Sequence, residues 1–209
     1  MNNKTKNIIK WALCAVSAIL AIIIAINIKN GKILDFDLKI YQFFKSNIIN
    51  DKLTPIVKVI THIGGAKIVI ALSILAIILI KGVKNKLFIL TGVVGTAGLN
   101  VILKHIIQRE RPNINRLIPE KGYSFPSGHA MMSMAFYGML IFLIFKYVKN
   151  PALKWTLIVV LTILLATIGM TRIYLGVHYP SDVIGGFLVS LTYLFILTEI
   201  YNRIKIEEK

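Results

Sequence analysis

Long apolar runs alternate with short polar breaks along the whole chain. The runs lie at residues 11–28, 67–80, 87–107, 130–148, 155–171 and 183–201. Most approach or exceed the roughly 20 residues a helix needs to cross a bilayer. The pattern predicts an all-α, polytopic membrane protein built as a six-transmembrane-helix bundle. The run at 67–80 is short and is expected to borrow residues at its ends. The run at 11–28 follows Lys4, Lys6 and Lys10. It is too long for a typical signal peptide and no small-x-small site follows, so a retained first crossing is expected.

Between 29 and 63 the pattern is mixed. Asp35 and Asp37 can cap a segment in which Phe36, Ile40, Phe43, Phe44 and Ile48 recur at helical spacing. That predicts a short interfacial helix in the first outer loop. Thr54-Pro55 reads as a second start, a cap followed by a first-turn proline. Gly64-Gly65 breaks the pattern. Within 87–107, Gly92, Gly95 and Gly98 leave a smooth strip for close helix packing.

Composition agrees with a membrane setting. Of 209 residues, 56% are apolar, more than a soluble domain carries. One membrane-embedded domain over residues 1–209 is expected, with no internal repeat of the kind many transporters have. The net charge of +16 would suggest nucleic acid on a soluble protein. Here the cations sit in short breaks where they meet anionic headgroups, and no basic patch is interleaved with stacking aromatics, so no nucleic-acid partner is expected. Trp11, Trp155 and Tyr147 lie near run ends, as interface anchors do. The lone Cys14 excludes an intramolecular disulfide and a cysteine-cluster metal site.

The breaks at 81–86 and 146–154 and both tails are lysine-rich with almost no acid, which makes that side cytoplasmic. The first outer loop also holds six lysines, but long loops count for less. The polar stretches at 108–125 and 172–182 then fall outside.

Three polar clusters share that outer side. In the first, Lys104 and Arg111 are seven apart, hence on one helix face, and Pro112 is expected to end the helix at Arg111. A guanidinium fork and an ammonium suit phosphate oxygens, although cations at a helix end also simply snorkel. In the second, Pro126-Ser127-Gly128-His129 opens an apolar run. Ser127 is a good N-cap, the helix start is an anion site, and His129 lies in its first turn. In the third, Arg172 precedes His178-Tyr179-Pro180-Ser181-Asp182. Pro180 reads as a first-turn residue, which puts Asp182 where it can hold one imidazole nitrogen of His178 and leave the other free to attack. Each cluster has a plain reading as a capped or snorkelling helix end. Together they hold three cations, a helix N-terminus, two histidines and a carboxylate, the parts that phosphoryl transfer through a histidine requires.

Lys104-x6-Arg111-Pro112, Pro126-Ser127-Gly128-His129 and Arg172-x5-His178-x3-Asp182 resemble, in order and spacing, the three-part signature of the type 2 phosphatidic acid phosphatase family, the integral-membrane lipid phosphate phosphatases. Thr171 stands where a serine commonly precedes the arginine. The resemblance implies that His178 is the nucleophile and forms a phosphohistidine, that Asp182 orients it, and that His129 protonates the leaving oxygen and then activates water. It implies that Lys104, Arg111, Arg172, the Ser127 hydroxyl and the Gly128 amide bind phosphate, with no metal or other cofactor. It implies a plasma-membrane enzyme, read here as a monomer, with the site on the outer face. The lipid tail would enter sideways from the bilayer. Bacterial members of this size resemble undecaprenyl diphosphate phosphatases or phosphatidylglycerophosphate phosphatases, and the residues do not choose between these substrates. His62 and His105 lie outside the signature and read as structural. A transporter or lipid scramblase binding anionic headgroups is the rival of another class; a vanadium-dependent haloperoxidase shares the signature but is soluble.

Overall fold

The computed structural model describes residues 2–113 and 115–204. Lys205, Glu207, Glu208 and Lys209 of the C-terminal tail, part of the charge-side expectation, lie outside the described residues. Among those described there are eight helices and no strand: α1 (Asn3–Lys29), α2 (Asp35–Asn47), α3 (Leu53–Ile63), α4 (Ala66–Leu79), α5 (Val83–Ile107), α6 (Gly128–Tyr147), α7 (Pro151–Tyr174) and α8 (Pro180–Arg203).

Helix α6 is the central post, packed against α4, α5, α7 and α8. Phe88 and Ile89 of α5, Met132, Phe136 and Met139 of α6, Ile168 of α7 and Leu197 of α8 form the buried core around it. Helix α1 lies outside, against α8, through a Ser17–Thr192 hydroxyl pair at 2.9 Å and a Lys10–Glu199 ion pair at 2.9 Å. Its other face exposes Ile8, Leu13, Ile19, Ile22 and Ile26. An apolar outer face around a packed core is what lipid, not water, permits. Helices α1, α5, α6, α7 and α8 are each long and apolar enough to cross a membrane. The run expected at 67–80 forms α4, only 14 residues and too short to span alone. Together with α3 it passes the same test, across a bend of 46° at the Gly64-Gly65 break. That bend presses on α7: a Cβ at Gly64 would sit 2.2 Å from Ile168 Cγ2.

Local signals explain most helix ends. Ser127 Oγ accepts from the Ala130 N–H at 3.5 Å and caps α6. Asn150 caps α7 ahead of Pro151, and Pro180 opens α8. Three expectations are corrected. Helix α3 starts at Leu53, before Thr54, because Asn50 Oδ1 accepts from the Leu53 N–H at 2.9 Å while the Thr54 hydroxyl bonds the Asn50 carbonyl. Helix α5 stops at Ile107, not at Arg111, because Gln108 turns left-handed at φ 54°. Lys104 and Arg111 therefore do not share a helix face. Of the glycine strip, Gly92 and Gly95 make close contacts with α6 and α8, and Gly98 faces open space.

The topology brings the C-terminal ends of α5 and α7 and the N-terminal ends of α6 and α8 to one end of the bundle. Helices α2 and α3 cover α7 there. The opposite end carries Asn85, Tyr147 and Tyr201, joined by their side chains.

Candidate active site

Backbone bonds sew the three clusters together. The Ser124 N–H donates to the Arg109 carbonyl at 2.8 Å, joining the first cluster to the second. The Ser127 N–H donates to the Asp182 carbonyl at 3.1 Å, joining the second to the third. The Phe125-Pro126 bond between them is cis. The result is a cavity of about 500 Å³ at this end of the bundle. Lys104, Arg111, Glu120, Gly128, His129 and His178 line its polar part, and Ile70, Val93, Val94, Ala97 and Val101 line an apolar wall formed by α4 and α5.

His178 is 2% exposed and sits two residues before α8, where the Pro180 start fixes its backbone. Arg111 Nη1 donates to its Nε2 at 3.1 Å. Guanidinium has no acceptor, so Nε2 carries the lone pair and Nδ1 the proton. Nδ1 stands 3.3 Å from Ser124 Oγ and 3.4 Å from Asp182 Oδ2. The Ser124 hydroxyl itself donates to Asp182 Oδ2 at 2.5 Å, which leaves its oxygen free to accept from Nδ1. The Tyr179 N–H also donates to Oδ2, at 2.8 Å, and Arg109 Nη1 to Oδ1 at 2.6 Å. Burial pushes the His178 imidazole down to about 4, against the opposing pull of Asp182. It is therefore neutral near pH 7, with a fixed tautomer and a lone pair at the cavity.

Arg111 meets that lone pair, Lys104 lines the same cavity, and Arg172 bonds Glu120 of its lining. Arg111 is held by the carbonyls of Lys121, Gly122 and Val177 at 2.9–3.1 Å. Burial lowers its guanidinium below the usual value, with Glu120 opposing. Lys104 donates to the Tyr123 carbonyl. Arg172, 1% exposed, donates to Thr61 Oγ1 at 2.8 Å and to Glu120 Oε2 at 3.0 Å. Its Nε has no hydrogen-bond partner among the described residues. A buried donor left open suits an anion that arrives later. Glu120 also stands 3.8 Å from Arg111, so one carboxylate spans both guanidiniums where phosphate oxygens could bind.

His129, in the first turn of α6, lines the same cavity as His178. A Cβ at Gly65 would come within 3.5 Å of its Nε2, so the α3–α4 bend closes one side. Ser127 is fully buried, with its hydroxyl turned to the α6 cap, while Gly128 faces the cavity. His62 is exposed, and His105 Nδ1 lies 2.8 Å from the Val101 carbonyl on its own helix.

Ser124, Arg109, Glu120, Thr61 and Asp37 went unassigned in the sequence. Ser124 stands beside the Pro-Ser-Gly-His stretch, and Arg109 two residues before Arg111, so proximity to the clusters was the available signal for both. Asp37 read as a helix cap. It is fully buried and bonded to Ser181 and Arg109, 144 and 72 positions away.

The sequence pattern of the PAP2 superfamily matches residues 85–206. Phosphatidylglycerophosphatase B of Bacillus subtilis is 34% identical over 111 residues, covering 51% of this chain and 53% of that protein. Undecaprenyl-diphosphatase BcrC of Bacillus subtilis is 30% identical over 170 residues, covering 75% and 81%. The chain thus spans about half the length of the first relative and about four fifths of the second. The crystal structure of a transmembrane PAP2-type phosphatidylglycerolphosphate phosphatase from Bacillus subtilis superposes with a TM-score of 0.79 at 26% identity, over 95% of this chain and 98% of that one.

Proposed function

Because the chain belongs to the PAP2 superfamily, we propose that it is a lipid phosphate phosphatase working through a phosphohistidine at His178, without a metal. The observation that carries this reading is the His178 imidazole itself: neutral, held by Ser124 and Asp182 on one side, and turning its lone pair to a cation-lined cavity. The phosphoryl group would lie among Lys104, Arg111 and Arg172, near the Gly128 amide at the start of α6. Arg172 Nε offers it an unused donor. As Arg111 shifts its hydrogen bond from Nε2 to a phosphate oxygen, Nε2 attacks phosphorus. The N–P bond forms, the P–O bond to the lipid breaks, and His129 gives the leaving oxygen a proton. Water then attacks phosphorus, His129 takes its proton, the N–P bond breaks, and His178 is regenerated with release of inorganic phosphate. Ser127 contributes chiefly by capping α6 and aiming that helix at the phosphate.

The substrate class is a lipid mono- or diphosphate. The apolar wall of Ile70, Val93, Val94, Ala97 and Val101 supports sideways entry of the tail between α4 and α5. The names of the relatives support two candidates, a phosphatidylglycerophosphate-like monoester and undecaprenyl diphosphate. The chain forms one membrane-embedded unit, a monomer with six crossings, the α3–α4 pair serving as one, and with α2 in the interface. Lysine at 81–86 and 146–154 supports cytoplasmic termini in the plasma membrane and a site on the outer face. A C-terminal tag cleaved by protease in inverted vesicles but protected in right-side-out ones tests that orientation; the reverse pattern refutes it. The test of function is phosphate release from a panel of lipid mono- and diphosphates, in chelator, by wild type and His178→Ala. Release by the wild type alone supports the reading. No release from any substrate, or equal release by both proteins, defeats it.

A further inference from the structure

The Asp182 carboxylate divides its two oxygens. Oδ2 serves the His178 side, accepting from Ser124 and the Tyr179 N–H, while Oδ1 takes Arg109 Nη1 at 2.6 Å. Arg109 in turn gives Nη2 to Asp37 Oδ2 at 2.8 Å. Asp37 also accepts from the Ser181 N–H at 2.8 Å and the Ser181 hydroxyl at 2.6 Å, and Ser181 Oγ takes a second bond from Arg109 at 2.7 Å. The Tyr179 ring covers the guanidinium at 4.0 Å. Asp37, Ser181 and Asp182 are fully buried. One guanidinium thus lies between two buried carboxylates, one from α2 and one from α8.

We infer that Arg109, clamped by Asp37, is a positioning residue that fixes the orientation and effective charge of Asp182 behind His178, and that α2 is thereby part of the catalytic unit. The inference rests on the function proposed above. Pinning α2 to α8 needs no more than the two bonds between Asp37 and Ser181. The reach of Arg109 onto Asp182 Oδ1 ties the clamp to the imidazole. Its shared charge sets the field: Asp37 draws on the guanidinium from one side, Asp182 from the other.

That sharing gives the two partners opposite signatures. Arg109→Gln leaves Asp182 unopposed, so its charge favours protonated His178 and the acid limb of kcat/KM moves up in pH. Asp37→Asn leaves Arg109 wholly to Asp182, so the limb moves down. The other titratable or charged groups near His178 are Arg111 and Glu120 from the 108–127 loop, Arg172 from α7, His129 from α6 and Lys104 from α5. They are unchanged in these variants, as is the titration of the substrate.

The test is phosphate release against pH for wild type, each single variant and the double variant, on one lipid phosphate in detergent. Expected are a kcat loss of about tenfold or more in Arg109→Gln with KM changed less than about threefold. The limb should shift by about half a unit or more, upward in Arg109→Gln and downward in Asp37→Asn, and return toward wild type in the double variant. Limbs that stay put while kcat falls, limbs that move together, or unchanged kcat would each overturn the inference and leave a mere brace. Should Arg109→Gln not be recovered folded, Asp37→Asn decides alone: a limb moved down in pH with KM little changed supports the clamp, and an unmoved limb overturns it. An inactive wild type would instead refute the phosphatase reading.

Discussion

Ser124 hands its hydroxyl hydrogen to Asp182 at 2.5 Å and presents the same oxygen to His178 Nδ1 at 3.3 Å. The carboxylate thus holds the imidazole partly through a serine, and Nδ1 finds an acceptor on either path. Ser124→Ala leaves the 3.4 Å approach of Asp182 but removes the bridge. Its kcat should fall about tenfold with little change in KM, since tautomer control assists attack more than binding. Steady-state kinetics on one lipid phosphate checks this; a loss confined to KM would contradict it.

Arg111 is a fork held by three carbonyls and aimed at Nε2. Lysine at that position keeps the charge but loses the planar geometry. Arg111→Lys should lower kcat/KM on the order of a hundredfold. Competition by inorganic phosphate should weaken in parallel. Retained phosphate affinity in that variant would place the anion elsewhere.

In the proposed mechanism His178 attacks as the neutral imidazole, and burial holds it near 4 in the folded protein against 6.5 ordinarily. Its nucleophilic form is full above about pH 5 and is lost as pH falls through 4. The same depression affects stability. Between 6.5 and about 4 the unfolded chain binds the proton and the folded one does not, so stability is full above 6.5 and declines as pH falls toward 4. Thermal unfolding in detergent should show that decline, and His178→Ala should flatten it. An equal decline in both proteins would assign it to other groups.

His129→Ala separates substrate types. An alkoxide leaving a monoester needs a proton, while phosphate leaving a diphosphate needs little help. On a monoester both steps lose assistance; on a diphosphate mainly the second does. The variant should lose considerably more activity on lipid monophosphates than on diphosphates. Equal losses would argue against an acid role.

Much of the fold and of the candidate site was legible because the signals are local. Pro180 two residues after His178 and two before Asp182, and Ser127 before an apolar run, fix geometry within one helix turn. What was not legible depends on backbone turns or distant pairs. The left-handed Gln108 ends α5 early, so Lys104 and Arg111 meet the cavity from a helix and a loop, not from one face. Asp37 finds Arg109 and Ser181 across 72 and 144 positions, and no spacing rule joins α2 to the first turn of α8. Glu120 lies in a loop whose polar pattern gives no sign of the two guanidiniums it bridges.

The glycine strip offers a test of packing. A Cβ at Gly95 would meet Tyr193 Oη at 2.1 Å, and that hydroxyl bonds the Thr91 carbonyl at 2.9 Å. Gly95→Ala should destabilise the protein by about 1–3 kcal/mol. Gly98→Ala, facing open space, should leave the melting temperature in detergent unchanged. Equal effects would mean that α5 packs against α8 differently.

The most direct measurement is to trap the proposed covalent intermediate. Wild type, His129→Ala and His178→Ala are mixed with a lipid diphosphate carrying labelled terminal phosphorus and quenched in alkali, which preserves phosphohistidine. The label is then located by peptide mass. The expected result is a phosphoryl group on the peptide containing His178, more abundant in His129→Ala and absent in His178→Ala. Turnover by the wild type with the label on another residue, or undiminished labelling in His178→Ala, would contradict it.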